Sequence, residues 1–124
     1  MSSVAKYQKV EVTTADPVEM IIKLYEGIVR FNNLSKKAIE EGNVSERNNY
    51  INRSIAIISE LAASLNAEEG GEVALNLARL YEYSINALNT ANIKNDPALI
   101  DSVTRVIEEL KKGWEGILNN GKDR

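Results

Sequence analysis

The sequence contains no cysteine and no histidine. Without cysteine there is no disulfide framework, no thiolate nucleophile and no thiolate metal site. Without histidine the commonest general base and the commonest metal ligand are gone. That excludes a histidine phosphotransfer module and a di-iron bundle built on Glu-x-x-His. An excess of positive charge is also lacking: 15 basic residues stand against 18 acidic ones, for a net charge of −3. Nucleic-acid binders concentrate positive charge, and here the doublets Lys36-Lys37 and Lys111-Lys112 read as solvated helix faces. No apolar run approaches the length of a membrane span, and residues 1–10 contain no apolar core of a secretory signal. The expectation is a cytosolic protein with no direct membrane insertion and no nucleic-acid partner.

What is present is helical. There are only two prolines, and each follows an aspartate, at Asp16-Pro17 and Asp96-Pro97. An aspartate N-cap followed by proline at the first helical position is a start signal, and Glu19 completes a capping-box pattern after Asp16. Helical spacing then links Met20, Ile21, Leu24, Tyr25, Ile28, Phe31, Leu34 and Ala38. Gly42 fits the position just past the helix end, and Asn43 or Ser45 caps the next one. The second apolar line is Ile51, Ile55, Ile58, Leu61, Ala62 and Leu65. The third is Val73, Leu77, Leu80, Tyr81, Ser84, Leu88 and Ala91. The fourth is Leu99, Ile100, Val103, Val106, Ile107, Leu110, Trp114 and Ile117.

Four long helices with short connections must run antiparallel. The expected fold is an all-α, up-down-up-down four-helix bundle spanning 16–118, with helices at about 16–41, 45–65, 72–93 and 96–118. Residues 66–71 read as a turn, and 119–124 as a frayed polar tail. Residues 1–15 form a separate extended or short helical segment, in which Val4, Tyr7, Val10 and Val12 are apolar and could cover a groove.

No catalytic constellation emerges. No histidine can activate a serine, the acid pairs are adjacent rather than helically spaced, and Gly70-Gly71 lacks the setting of a phosphate loop. Tyr81 and Tyr83 lie about 200° apart on a helix, so one of them must face outward. Ile22, Val29, Ile57 and Leu75 also lie off the main stripes. Apolar residues on more than one face fit a bundle that keeps grooves for a partner.

The stretch from Thr13 to Ile28, with Thr14-Ala15, Pro17, Glu19 and Leu24-Tyr-Glu-Gly27, then Phe31, resembles the opening of the FliS family, the flagellin-specific export chaperones. Leu80-Tyr-Glu-Tyr83, Leu88, Ala91-Asn-Ile-Lys-Asn-Asp96, Trp114 and Tyr7 resemble further blocks of that family. Thr14 and Met20 depart from its commonest residues by volume-tolerant changes. The resemblance covers nearly the whole chain. It implies a non-catalytic chaperone without a cofactor or metal. Its partners would be the disordered C-terminal segment of flagellin and the export-gate protein of the flagellar type III apparatus. Candidate contact residues are Tyr7, Val10, Tyr25, Tyr81, Tyr83, Asn92 and Ile93. Two other readings stay open. One is a helical adaptor for a different client. The other is a small helical mutase, which would need Arg30, Arg47, Arg53, Arg79 and Arg105 to converge.

Overall fold

A computed structural model describes residues 16–122, with the side chains of 121 and 122 left out. The expectations for residues 1–15, including those for Tyr7 and Val10, and for 123–124 lie outside the described residues. Four helices follow in order: α1 (Pro17–Glu40), α2 (Val44–Ala63), α3 (Ala67–Lys94) and α4 (Pro97–Lys122). α4 continues past residue 118 through Asn119 and Asn120, where the sequence reading places a frayed tail. Among the described residues there is no strand, and no helix is long and apolar enough to cross a membrane.

Each helix starts on a side-chain cap. Asp16 Oδ1 accepts from the Val18 amide at 2.8 Å, and Asp96 Oδ1 from the Ala98 amide at 2.9 Å. Asn43 accepts from Glu46, and Asn66 from Glu68 and Glu69. These bonds satisfy amides that have no partner within the helix. Gly71 breaks the helical path inside α3, at φ 54° and ψ −130°. That backbone region is open to glycine and strained for any residue with a Cβ. Residues 67–70 therefore make one helical turn before the long straight run begins at Glu72.

The helices pack as a square. Each touches its two neighbours, and among the described residues neither diagonal pair is in backbone contact. The α1–α2 side is the tightest, because Gly27 lets the Ile57 methyl come within 3.2 Å of where a Cβ would stand. The α3–α4 side is the most loosely packed. The core runs through Ile28, Ile51, Ile58, Leu88, Ile100, Val103 and Ile107, all fully buried.

Two expectations about α1 are corrected. Met20 is exposed and Ile22 is buried, although the sequence reading puts Met20 on the stripe and Ile22 off it. The core line of α1 is Ile22, Tyr25, Ile28, Asn32, Ser35 and Ala38. Two of its members are polar, so hydrophobicity alone points the stripe toward the wrong edge. Asn32 is fully buried, and both its side-chain oxygen and its side-chain nitrogen have a partner. It accepts from Ser54 Oγ at 2.7 Å and donates to Thr104 Oγ1 at 3.0 Å, tying α1 to α2 and α4. Ser35 and Ser84 donate to carbonyls of their own helices. Among the described residues no buried side-chain polar atom lacks a partner.

Candidate functional site

The loose α3–α4 side carries an apolar groove. One stretch, of about 250 Å³, is lined by Val73, Leu77, Leu110, Gly113, Trp114 and Ile117. The next, of about 290 Å³, is lined by Leu80, Val106 and Leu110, with Arg105 and Glu109 at its rim. Glu109 and Leu110 line both, so the two stretches adjoin. Tyr83 and Ser102 stand further along the same pair of helices, with their hydroxyls 2.9 Å apart. From Val73 to Leu80 the groove follows seven residues of α3, about 10 Å at helical rise.

The groove exists because both helices carry more apolar residues than the core can use. Val73 is 66 % exposed and Ile117 55 % exposed. The sequence reading assigns both to core stripes. They continue the helical spacing, but they lie beyond the region where α3 and α4 close on each other.

A third cavity, of about 350 Å³, opens at the end of the bundle where α1 and α3 begin and α2 and α4 finish. Ile21, Leu61, Leu65 and Leu77 give it an apolar lining, and Trp114 and Tyr81 form part of its wall. Val73, Leu77 and Trp114 thus belong both to this cavity and to the groove. Trp114 Nε1–H donates to Tyr25 Oη at 3.0 Å. Tyr25 Oη lies 2.6 Å from Tyr81 Oη. The tyrosines come from diagonal helices and meet in the middle of the square. Burial raises the pKa of both hydroxyls above the ordinary tyrosine value.

The candidate contact residues are not gathered at one place. Of the candidate contact residues, Tyr25 is fully buried and Tyr81 is 2 % exposed, reaching only the wall of the end cavity, so neither stands on the outer surface. Tyr83 is the outward member of its pair, 45 % exposed against 2 % for Tyr81. Asn92 is occupied at the opposite end of the bundle. It accepts from Arg47 Nε at 2.8 Å and donates to Asn48 at 2.8 Å, while Arg47 also reaches Asn95. This cluster fastens the start of α2 to the α3–α4 corner. Ile93 at that corner is 85 % exposed and lies far from the groove. Sequence reasoning missed Val106 and Leu110 as groove residues. Their signal was an apolar stripe on α4 broader than three buried residues require.

Among the described residues no group of three or more acidic side chains is clustered as metal ligands would be. Arg30, Arg53, Arg79 and Arg105 are exposed, and Arg47 is held in the corner cluster, so the arginines do not converge as a mutase site requires. Arg53 instead lies over the ring of Phe31, which stacks on Tyr50 across α1 and α2.

Comparison with known proteins agrees with this picture. The family profile described as "Flagellar protein FliS" matches residues 1–121. The flagellar secretion chaperone FliSB of Pseudomonas aeruginosa is 38 % identical over 121 residues, covering 94 % of this chain and 96 % of that protein. The flagellar secretion chaperone FliS of Vibrio cholerae is 33 % identical, covering 93 % and 88 %. That of Bacillus subtilis is 32 % identical, covering 95 % and 88 %. A crystal structure titled as a flagellar chaperone from bacteria superposes with a TM-score of 0.81 at 20 % identity, over 97 % of this chain and 98 % of that one, and shows the same fold. Relatives in this group are named as chaperones and not as enzymes. The chain belongs to the FliS family of flagellar secretion chaperones.

Proposed function

We propose that this flagellar secretion chaperone acts in the cytosol on the disordered C-terminal segment of flagellin, prevents its premature polymerisation, and helps deliver it to the export gate. The observation that supports the reading is the apolar groove on α3 and α4, whose two stretches adjoin at Leu110. A disordered client loses about 1–2 kcal/mol of backbone entropy per residue when it is ordered. It needs a long apolar track in return, and a groove between two parallel-sided helices provides one. An amphipathic client segment lays its apolar face between Val73, Leu77 and Leu80 on one wall and Val106, Leu110 and Ile117 on the other. That face is the one flagellin would use against its neighbours, so occupying it blocks polymerisation without any energy-consuming step. Tyr83 extends the track, and Ile93 with Asn92 supplies a second contact at the far end for a long client.

Chemical-shift mapping with the C-terminal segment of flagellin tests the placement. Shifts concentrated at residues 73–83 and 102–117 are expected. Shifts concentrated on the outer α1–α2 face around Phe31 and Tyr50 would contradict it.

A further inference from the structure

We propose that α4 from Leu110 onward is a hinged flap, latched by the Trp114–Tyr25 hydrogen bond, and that its opening joins the groove to the end cavity in one apolar slot. The two halves of α4 are held very differently. Ile100, Val103 and Ile107 in the first half are fully buried. Thr104 is bound to buried Asn32, and Asp101 pairs with Lys36 at 2.6 Å. Beyond Ile107, none of residues 108–120 is buried. Leu110, Trp114 and Leu118 are half-buried there, and Gly113 and Gly116 have open space beside them. Each interior glycine weakens a helix about fourfold relative to alanine. Leu110 and Trp114 pack against the core from one side only, and the Lys111–Glu26 pair at 3.2 Å lies on the surface, where such pairs hold weakly.

The latch can open without leaving an orphan. When Trp114 withdraws, Tyr25 Oη keeps Tyr81 Oη at 2.6 Å as its partner. Val73, Leu77 and Trp114 line both the 350 Å³ and the 250 Å³ spaces, and Trp114 is the α4 member of that shared boundary, so withdrawing the indole widens the passage between them into one slot. The slot has a mainly aliphatic lining and the volume of at least the indole that left it. It accepts a bulky apolar side chain from the client's amphipathic segment, and this half of the proposal rests on the client reading above.

Native-state hydrogen exchange on the full chain tests the flap without any client. Amides of residues 111–120 should exchange as one unit, about 100-fold less protected than those of 100–107. Tyr25→Phe, which keeps the ring and removes the acceptor, should lower their protection at least a further fivefold relative to 100–107. A smooth decline in protection from Ile107 to the end, or equal loss in both halves in Tyr25→Phe, overturns the flap. Trp114 is the only tryptophan, so its emission reports on the slot directly. Adding the flagellin C-terminal segment should shift that emission. Calorimetric binding with unchanged emission and unchanged exchange at 111–120 overturns the client's part in opening and leaves the client reading intact. An absence of binding heat contradicts the client reading and removes the slot's occupant with it, while exchange on the free chain still decides the flap.

Discussion

Asn32 holds the middle of the bundle by hydrogen bonds instead of apolar contact. Its amide satisfies hydroxyls from two other helices, Ser54 and Thr104. Asn32→Ala should cost about 2–3 kcal/mol in urea unfolding, because it leaves a cavity and strands the Ser54 hydroxyl. Adding Ser54→Ala should recover part of that loss, since the stranded donor is then gone. The tyrosine pair makes a pH prediction. Both folded-state pKa values lie above the unfolded tyrosine value of about 10. Above that pH the unfolded chain releases protons that the folded chain retains. This contribution to stability is therefore full at neutral pH and lost as pH rises past about 10, by up to about 1.4 kcal/mol per pH unit for each hydroxyl. Tyr25→Phe/Tyr81→Phe should flatten that alkaline decline, as read by urea midpoints between pH 8 and pH 11. The same two residues show what a sequence conceals. Spacing establishes that one of Tyr81 and Tyr83 faces outward, and Tyr83 does. It does not show that Tyr25 and Tyr81 meet across a diagonal, because that contact joins residues 56 positions apart.

Helix ends were the most legible elements, because capping is local chemistry. Asp16-Pro17, Asn43 and Asp96-Pro97 all stand where the sequence places them, and each aspartate or asparagine accepts a first-turn amide. Asp96→Ala should cost about 1 kcal/mol through the lost cap and leave client affinity unchanged. The start of α3 was less legible. Residues 66–71 read as a turn, whereas the chain makes one helical turn from Ala67 and then breaks at Gly71. Gly71→Ala should destabilise by about 1–2 kcal/mol, measured by thermal unfolding, since φ 54° with ψ −130° strains a Cβ-bearing residue. Stripe edges were the least legible. Periodicity groups Val73, Leu77 and Leu80 on one face, but how far α3 and α4 separate depends on the other two helices. The same apolar spacing serves a core or a groove.

Across the whole molecule, one side of the square is tight and the opposite kind of side is open. α1 and α2 come close at Gly27, while α3 and α4 stand apart over an apolar track of two adjoining stretches. The fold class was readable from period and connection length, and the family from motifs spread along the chain. The groove was not, because it is a property of spacing between helices. A charge placed in the track should separate binding from folding. Val73 is mostly exposed, so Val73→Glu should change stability by no more than about 0.5 kcal/mol. It should weaken client binding at least tenfold, because a carboxylate buried against an apolar client face loses its hydration.

Calorimetric titration of this chain and its Val73→Glu variant with the C-terminal segment of flagellin tests the central claim most directly. The account predicts saturable binding near one-to-one, with a negative heat-capacity change from apolar burial and at least a tenfold loss in the variant. No binding at micromolar concentrations with both partners soluble, or equal affinity for the two proteins, would contradict it.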